Sequence, residues 1–176
     1  MNFARATIAL LTVSLAASPP CLAAAASVES DSSIPARILA MHNRERAAVG
    51  APPLAWDPAL AASAASYGPT LASLGRLAHS PRESRPGQRE NLSMGSTDHF
   101  GLEDLVGFWV EEKRYFQPGL FPNVSRTGQW KDVAHYTQMI WKGTTNVGCA
   151  LHKGGERSYL ICRYSPPGNA DGRPVF

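Results

Sequence analysis

Apolar positions recur along the chain with two periods, and the period changes from segment to segment. Ile38, Met41 and Ala48 repeat at helical spacing, with Ser33 as a cap, Pro35 near the start and Gly50 as a stop. This predicts a first helix, with His42 and Arg46 one turn apart beside its stripe as a packed pair that fixes it. Asp57-Pro58 supplies a cap and a first-turn proline for a second, alanine-rich helix. Gly68-Pro69 is expected to break or kink that helix before Leu71 and Leu74 resume it. A third helix is predicted over residues 102–115. Its phase separates two adjacent glutamates: Leu105, Trp109, Glu112 and Phe116 share one face, and Asp104, Glu111 and Arg114 fall opposite. Glu112 is therefore directed inward, where a carboxylate needs a partner such as an imidazole, and Glu111 outward to water.

Residues 146–152 and 158–164 read as strands joined through Lys153-Gly154-Gly155-Glu156-Arg157. With Gly155-Glu156 at the centre of a type II′ turn, that register sets Cys149 opposite Cys162. The pair is either a disulfide or two free buried thiols in neighbouring strands. Export favours the disulfide. Arg5, the apolar run 6–17 and the small residues Ala23-Ala24-Ala25-Ala26 have the form of a secretory signal peptide over 1–26, too short to span a bilayer. Cys21 lacks the lead-in of a lipoprotein cysteine, so no stable membrane anchor is expected. Residues 27–33 are polar and predict a disordered leader, which leaves 34–176 as one domain with a core of fair size. Without the signal peptide the chain carries 16 basic and 14 acidic residues. That balance is too mild for a nucleic-acid partner, and no basic run with interleaved aromatics is present.

Candidate chemistry concentrates in Ala134-His135-Tyr136-Thr137-Gln138-Met139-Ile140-Trp141, where an imidazole and hydrogen-bonding side chains interrupt an apolar segment. As a helix it puts His135 on one face with Gln138 and Met139, a face that could line a pocket. The segment resembles the signature G-H-Y/F-T-Q-x-V/I-W of the CAP superfamily, which includes cysteine-rich secretory proteins, antigen-5 venom allergens, plant pathogenesis-related proteins and bacterial relatives. Cys162-Arg163-Tyr164-Ser165-Pro166-Pro167-Gly168-Asn169 is similar to its second signature, C-N-Y-x-P-P-G-N. His42-Asn43-Arg44-Glu45-Arg46, Leu54-Ala55-Trp56-Asp57 and Glu90-Asn91-Leu92 resemble three shorter motifs in the same order. The chain departs from the pattern at Ala134 and Arg89, where the family has Gly, and at Arg163, where it has Asn.

The resemblance implies an α+β fold, a three-layer α-β-α sandwich around a central, mainly antiparallel sheet, in a secreted protein of bacterial type that is extracellular or periplasmic. It also implies a cleft tetrad of His79, Glu90, Glu112 and His135, supported by Gln138, Tyr136 and Asn91, with His99 as the competitor of His79. Imidazole and carboxylate suit Zn²⁺ or another divalent cation through His79 and His135. The four residues lie on separate elements, however, so no cofactor is expected to be required. Three functions are open. The first is binding of a small apolar ligand such as a sterol or fatty acid, by a monomer, with Phe100, Phe108, Phe116, Leu120 and Phe121 as apolar material around the cleft. The second is hydrolysis, as a protease or esterase, in which His135, His79, Glu112 and Glu90 would act and Ser80 invites comparison with a triad. No nucleophile elbow or oxyanion motif supports it, so an enzyme is not the leading expectation. The third is a structural or partner-contact role.

Overall fold

The computed structural model describes Met1 and residues 33–176. The expected signal peptide, Cys21 and nearly all of the leader lie outside the described residues. The first helix, α1 (Ile34–Ala48), starts where the pattern put it: Ser33 Oγ accepts the Ala36 N–H at 3.3 Å, and the chain leaves through Val49 into Gly50 at φ +73°. There follow β1 (Ala55–Trp56), α2 (Pro58–Leu74), β2 (Arg89–Ser96), α3 (Leu102–Glu111), α4 (Ala134–Ile140), β3 (Asn146–Gly154) and β4 (Arg157–Ser165). The strands form one sheet in the order β1-β3-β4-β2, with β1 parallel to β3 and the other pairs antiparallel.

Alternation along β4 explains the layering. Tyr159 and Ile161 join Leu92 against Ala64 and Leu71 of α2, while Leu160, Cys162 and Tyr164 face a larger core with Ile38, Leu105, Trp109 and Met139 from α1, α3 and α4. Each fully buried side chain of this size contributes roughly 1.5–3 kcal/mol. Small residues let α2 lie close on the sheet: a methyl group at Gly148 would overlap Ala61 N and Asp57 O, and one at Gly154 would overlap Ala72.

Two helix expectations need correction. The second helix runs unbroken through Gly68-Pro69. Pro69 and Ala65 sit on its exposed side, so the carbonyl that loses its partner can bond to water. The third helix ends at Glu111, and residues Glu112–Tyr115 tighten into 3-10 turns. The predicted phase survives that change, since Leu105 and Trp109 are buried and Asp104, Glu111 and Arg114 exposed. The hairpin is as expected but longer by two residues in each strand. Gly155 has φ +62°, Glu156 does not share the positive φ, and the Cys149–Cys162 disulfide bridges facing positions with Sγ–Sγ 1.99 Å.

Candidate functional site

The helix that carries His135 is held at both ends by opposite charges. At its N-terminus the Glu112 carboxylate takes three donors: His135 N–H at 2.9 Å and Tyr136 N–H at 3.0 Å on Oε2, and His135 Nδ1–H at 2.6 Å on Oε1. At its C-terminus the buried Arg46 guanidinium donates to the carbonyls of Met139, Trp141 and Thr144 at 2.9–3.0 Å. Anion at the start and cation at the end both oppose the helix dipole. His42 completes the frame from α1. Its Nδ1–H donates to Ile38 O, and its Nε2 accepts from Tyr164 Oη, which in turn accepts from Asn91 Nδ2. Asn91 also donates to His135 O at 3.1 Å. Burial, the main cause, lowers the His42 pKa from 6.5 to about 4 against the opposing pull of the Ile38 carbonyl, so this histidine is neutral and structural. His135 itself stacks on Trp109 with ring centroids 6.1 Å apart.

The second pair is built on the other face of the sheet. Glu90 and Asn91 are neighbours on β2 and so point to opposite sides. The Glu90 carboxylate is fully buried. It accepts His79 Nδ1–H at 2.7 Å, Ser80 N–H at 3.1 Å and Ser80 Oγ–H at 3.0 Å, and forms an ion pair with Arg163 Nη2 at 3.0 Å. Burial alone would raise its pKa, but the His79 bond, the Arg163 charge and the Ser80 bonds outweigh that and hold it below the usual carboxylate value. Arg163 is buried too, and its Nε and Nη1 have no partner among the described residues. The imidazole of His79, by contrast, is more than half exposed.

The pairs meet at one cleft of about 700 Å³, beside the edge strand β2. His79, Ser80, Glu90, Asn91, His135 and Gln138 line it, together with Arg82, Arg85 and Arg89, the ring-bearing Phe121, Pro122 and Trp130, and Ala134, Asn169 and Asp171. Three expected contributors stand elsewhere. Glu112 lies behind His135 and is not on the wall; Tyr136 is buried in the main core; and His99 sits in the turn before α3, where its Nδ1 is 3.3 Å from Ser96 Oγ. Of the apolar candidates only Phe121 lines the cleft, since Phe116 is core and Phe100, Phe108 and Leu120 are exposed away from it. Gln138 lines the cleft but its amide is spent on structure, accepting Gly168 N–H and donating to Thr144 Oγ1.

Residues 39–164 match the cysteine-rich secretory protein family, CAP. The chain belongs to this family. It is 38% identical to pathogenesis-related protein 1B of Nicotiana tabacum over 136 residues, covering 77% of this chain and 76% of that one. It is also 36% identical to pathogenesis-related protein 1 of Arabidopsis thaliana over 138 residues, covering 77% and 78%. Among solved structures, that of NaASP2 with Zn²⁺ superposes with a TM-score of 0.67 at 25% identity, covering 80% of this chain and 83% of that one. Four helices around a mixed four-stranded sheet are thus the CAP fold.

Within the CAP frame, a divalent ion would find two ligands. Both imidazoles donate Nδ1–H to a carboxylate, which leaves each Nε2 lone pair free and oriented. Among the described residues no group of three or more His, Cys, Asp or Glu side chains is placed to hold a metal. The fit is therefore partial. Ser80 Oγ gives its proton to Glu90 and receives Arg85 Nε–H at 3.0 Å, so it is paired with no imidazole. The two CAP signatures also grip each other: Asn169, at φ +51°, bonds Thr137 and Ala134, and a methyl group at Gly168 would overlap Gln138 and Trp141. The signature motif contains Gly168 and Asn169 without revealing that role, and no sequence motif points to Trp130, Arg82 or Arg85 as wall residues.

Proposed function

We propose that this CAP protein is exported, to the extracellular space or periplasm, and acts there as a monomeric, non-catalytic binding protein whose cleft takes up a small, partly apolar ligand. The observation that carries this reading is a preformed cleft of about 700 Å³ in which Glu90, Ser80 and Gln138 are bonded within the protein while Pro122 and Trp130 stand exposed on the wall. Such a volume suits a small molecule. Trp130, at 39% exposure, and the exposed Pro122 offer apolar surface, with Phe121 buried at 4%, and the fixed imidazoles give the polar end of a ligand a defined orientation. Catalysis by a nucleophile and base finds less support, because Ser80 Oγ is engaged by Glu90 and Arg85. A Zn²⁺ ion would bind His79 and His135 and take its remaining ligands from water or from the bound molecule.

Native mass spectrometry of the protein collected from its own secretion medium tests this. The expected result is a monomer that lacks about 26 N-terminal residues and carries an added mass that denaturation releases. A ligand-free protein that also gains no mass when incubated with fatty acid or sterol would overturn the binding reading.

A further inference from the structure

The cleft wall has a charge that the His/Glu pairs do not explain. Glu90, its buried acid, is already matched by Arg163 and His79. Three more guanidiniums line the same cleft, those of Arg82, Arg85 and Arg89, and none forms a salt bridge with a described carboxylate. Arg85 is buried and tied to Ser80 and Gln88, so its place is fixed by the fold. Arg89 donates through Nε and Nη2 to the carbonyls of Gly168 and Asn169, which pins the stem and leaves Nη1 without a hydrogen-bond partner among the described residues. Arg82 is exposed, and its guanidinium makes no hydrogen bond with any described residue. Besides the matched Glu90, the wall's acid is Asp171, which forms no salt bridge with any described residue although its charge acts on Arg89. Burial first, then the charges of Arg82 and Arg85, lower the Arg89 pKa against the opposing charge of Asp171.

We propose that Arg82 and Arg89, backed by Arg85, form an oxyanion site in the cleft, so that the ligand is an amphiphile with a carboxylate or phosphate head, its apolar part lying along the exposed Pro122 and Trp130. Guanidinium groups suit these heads because their N–H donors match two oxygens at once, and an anion would relieve the mutual repulsion of the three cations. The same charges disfavour a naked divalent cation, and neutral alcohols such as sterols lack the group the site reads. This inference deepens the binding reading above and rests on the cleft being a binding site.

Calorimetric titration separates the two claims. The probes are decanoate, decyl phosphate, decanol and inorganic phosphate, each with wild type, Arg82→Glu and, as a control, Lys153→Glu at an exposed position outside the cleft lining. The expected result is binding of both anionic amphiphiles, weakened about tenfold or more by Arg82→Glu, as loss of a charged hydrogen-bond donor requires, and unaltered by Lys153→Glu. Decanol should bind more weakly and ignore Arg82. If decanol binds as tightly as decanoate and decyl phosphate and Arg82→Glu changes nothing, the oxyanion site is wrong while the binding cleft stands. If only inorganic phosphate binds, and needs Arg82, the oxyanion site stands and the apolar-ligand reading falls. If none of the probes binds wild type, both are overturned.

Discussion

The two histidine–glutamate pairs contain the same atoms in the same contact, yet they are built for different ends. In the His135 pair the carboxylate is mostly a structural group, since two of its three donors are backbone N–H groups of α4 and only one is the imidazole. In the His79 pair the carboxylate is a buried anion balanced by a buried cation, with the imidazole attached at the surface. Removing the carboxylate should therefore cost more than removing the imidazole in both halves, through orphaned backbone donors of α4 in one and a stranded buried cation in the other. The lesson is that a shared residue type and a shared 2.6–2.7 Å contact do not define a shared role. What lies behind each carboxylate does.

The largest effect should come from Glu90→Ala. It strands the Arg163 guanidinium, which already has two unpartnered nitrogens, and breaking a buried pair on one side costs about 3–5 kcal/mol. In an Arg163→Asn background the same change should cost much less. Urea unfolding of the four proteins reads the coupling, and equal losses in both backgrounds would mean that Glu90 does not serve to balance Arg163.

Acid should separate the halves by pH window. His42, which holds the His135 frame, has a folded pKa of about 4 against 6.5 for an ordinary histidine, so the unfolded chain takes up the proton first. The stability it supports is present above pH 6.5 and declines as pH falls toward 4, by roughly 3 kcal/mol in full. Glu90 is shifted below 4.5, so its contribution is present above that value and is lost only as pH falls through its lower folded value. The gap in stability between wild type and His42→Gln should narrow between pH 6.5 and 4, and that between wild type and Glu90→Gln only at lower pH. A single common window would show that the halves are not independent.

Much of the His135 half was legible in the sequence. Helical phase set Glu112 inward and Glu111 outward, and the His42/Arg46 pair was read as a fixture of α1, as its bonds bear out. The hairpin register followed from one glycine and one turn type. The division of the tetrad was not legible, because Glu90-Asn91-Leu92 was recognised as a motif and not as part of a strand. Alternation along β2 sends Glu90 toward α2 and Asn91 toward α4. Arg163 stood out as a departure from the family pattern, but its function needed its neighbour across the strands, Glu90. Pro69 misled because propensity rules judge a proline without knowing which side of the helix faces water.

Two smaller effects sharpen the contrast. Glu112→Ala should cost about 1–3 kcal/mol through the orphaned backbone donors of α4, and Glu111→Ala no more than about 0.5. Equal unfolding midpoints and slopes would show that the face assignment is wrong. His79→Ala should alter stability least, within about 0.5 kcal/mol, because its imidazole is largely in water and Glu90 keeps both Ser80 donors and the Arg163 ion pair. A loss as large as that of Glu112→Ala would place His79 in the structural frame.

The central claim is that these pairs shape a cleft that binds and does not turn over its ligand. It is tested most directly by assaying purified wild type, His79→Ala and His135→Ala against broad peptide and ester libraries, with and without chelator. The account predicts no turnover above buffer in any of the three, together with altered ligand affinity in the variants. Turnover that follows the protein through purification and falls about 10²-fold or more in His135→Ala, as loss of a general base requires, would contradict it.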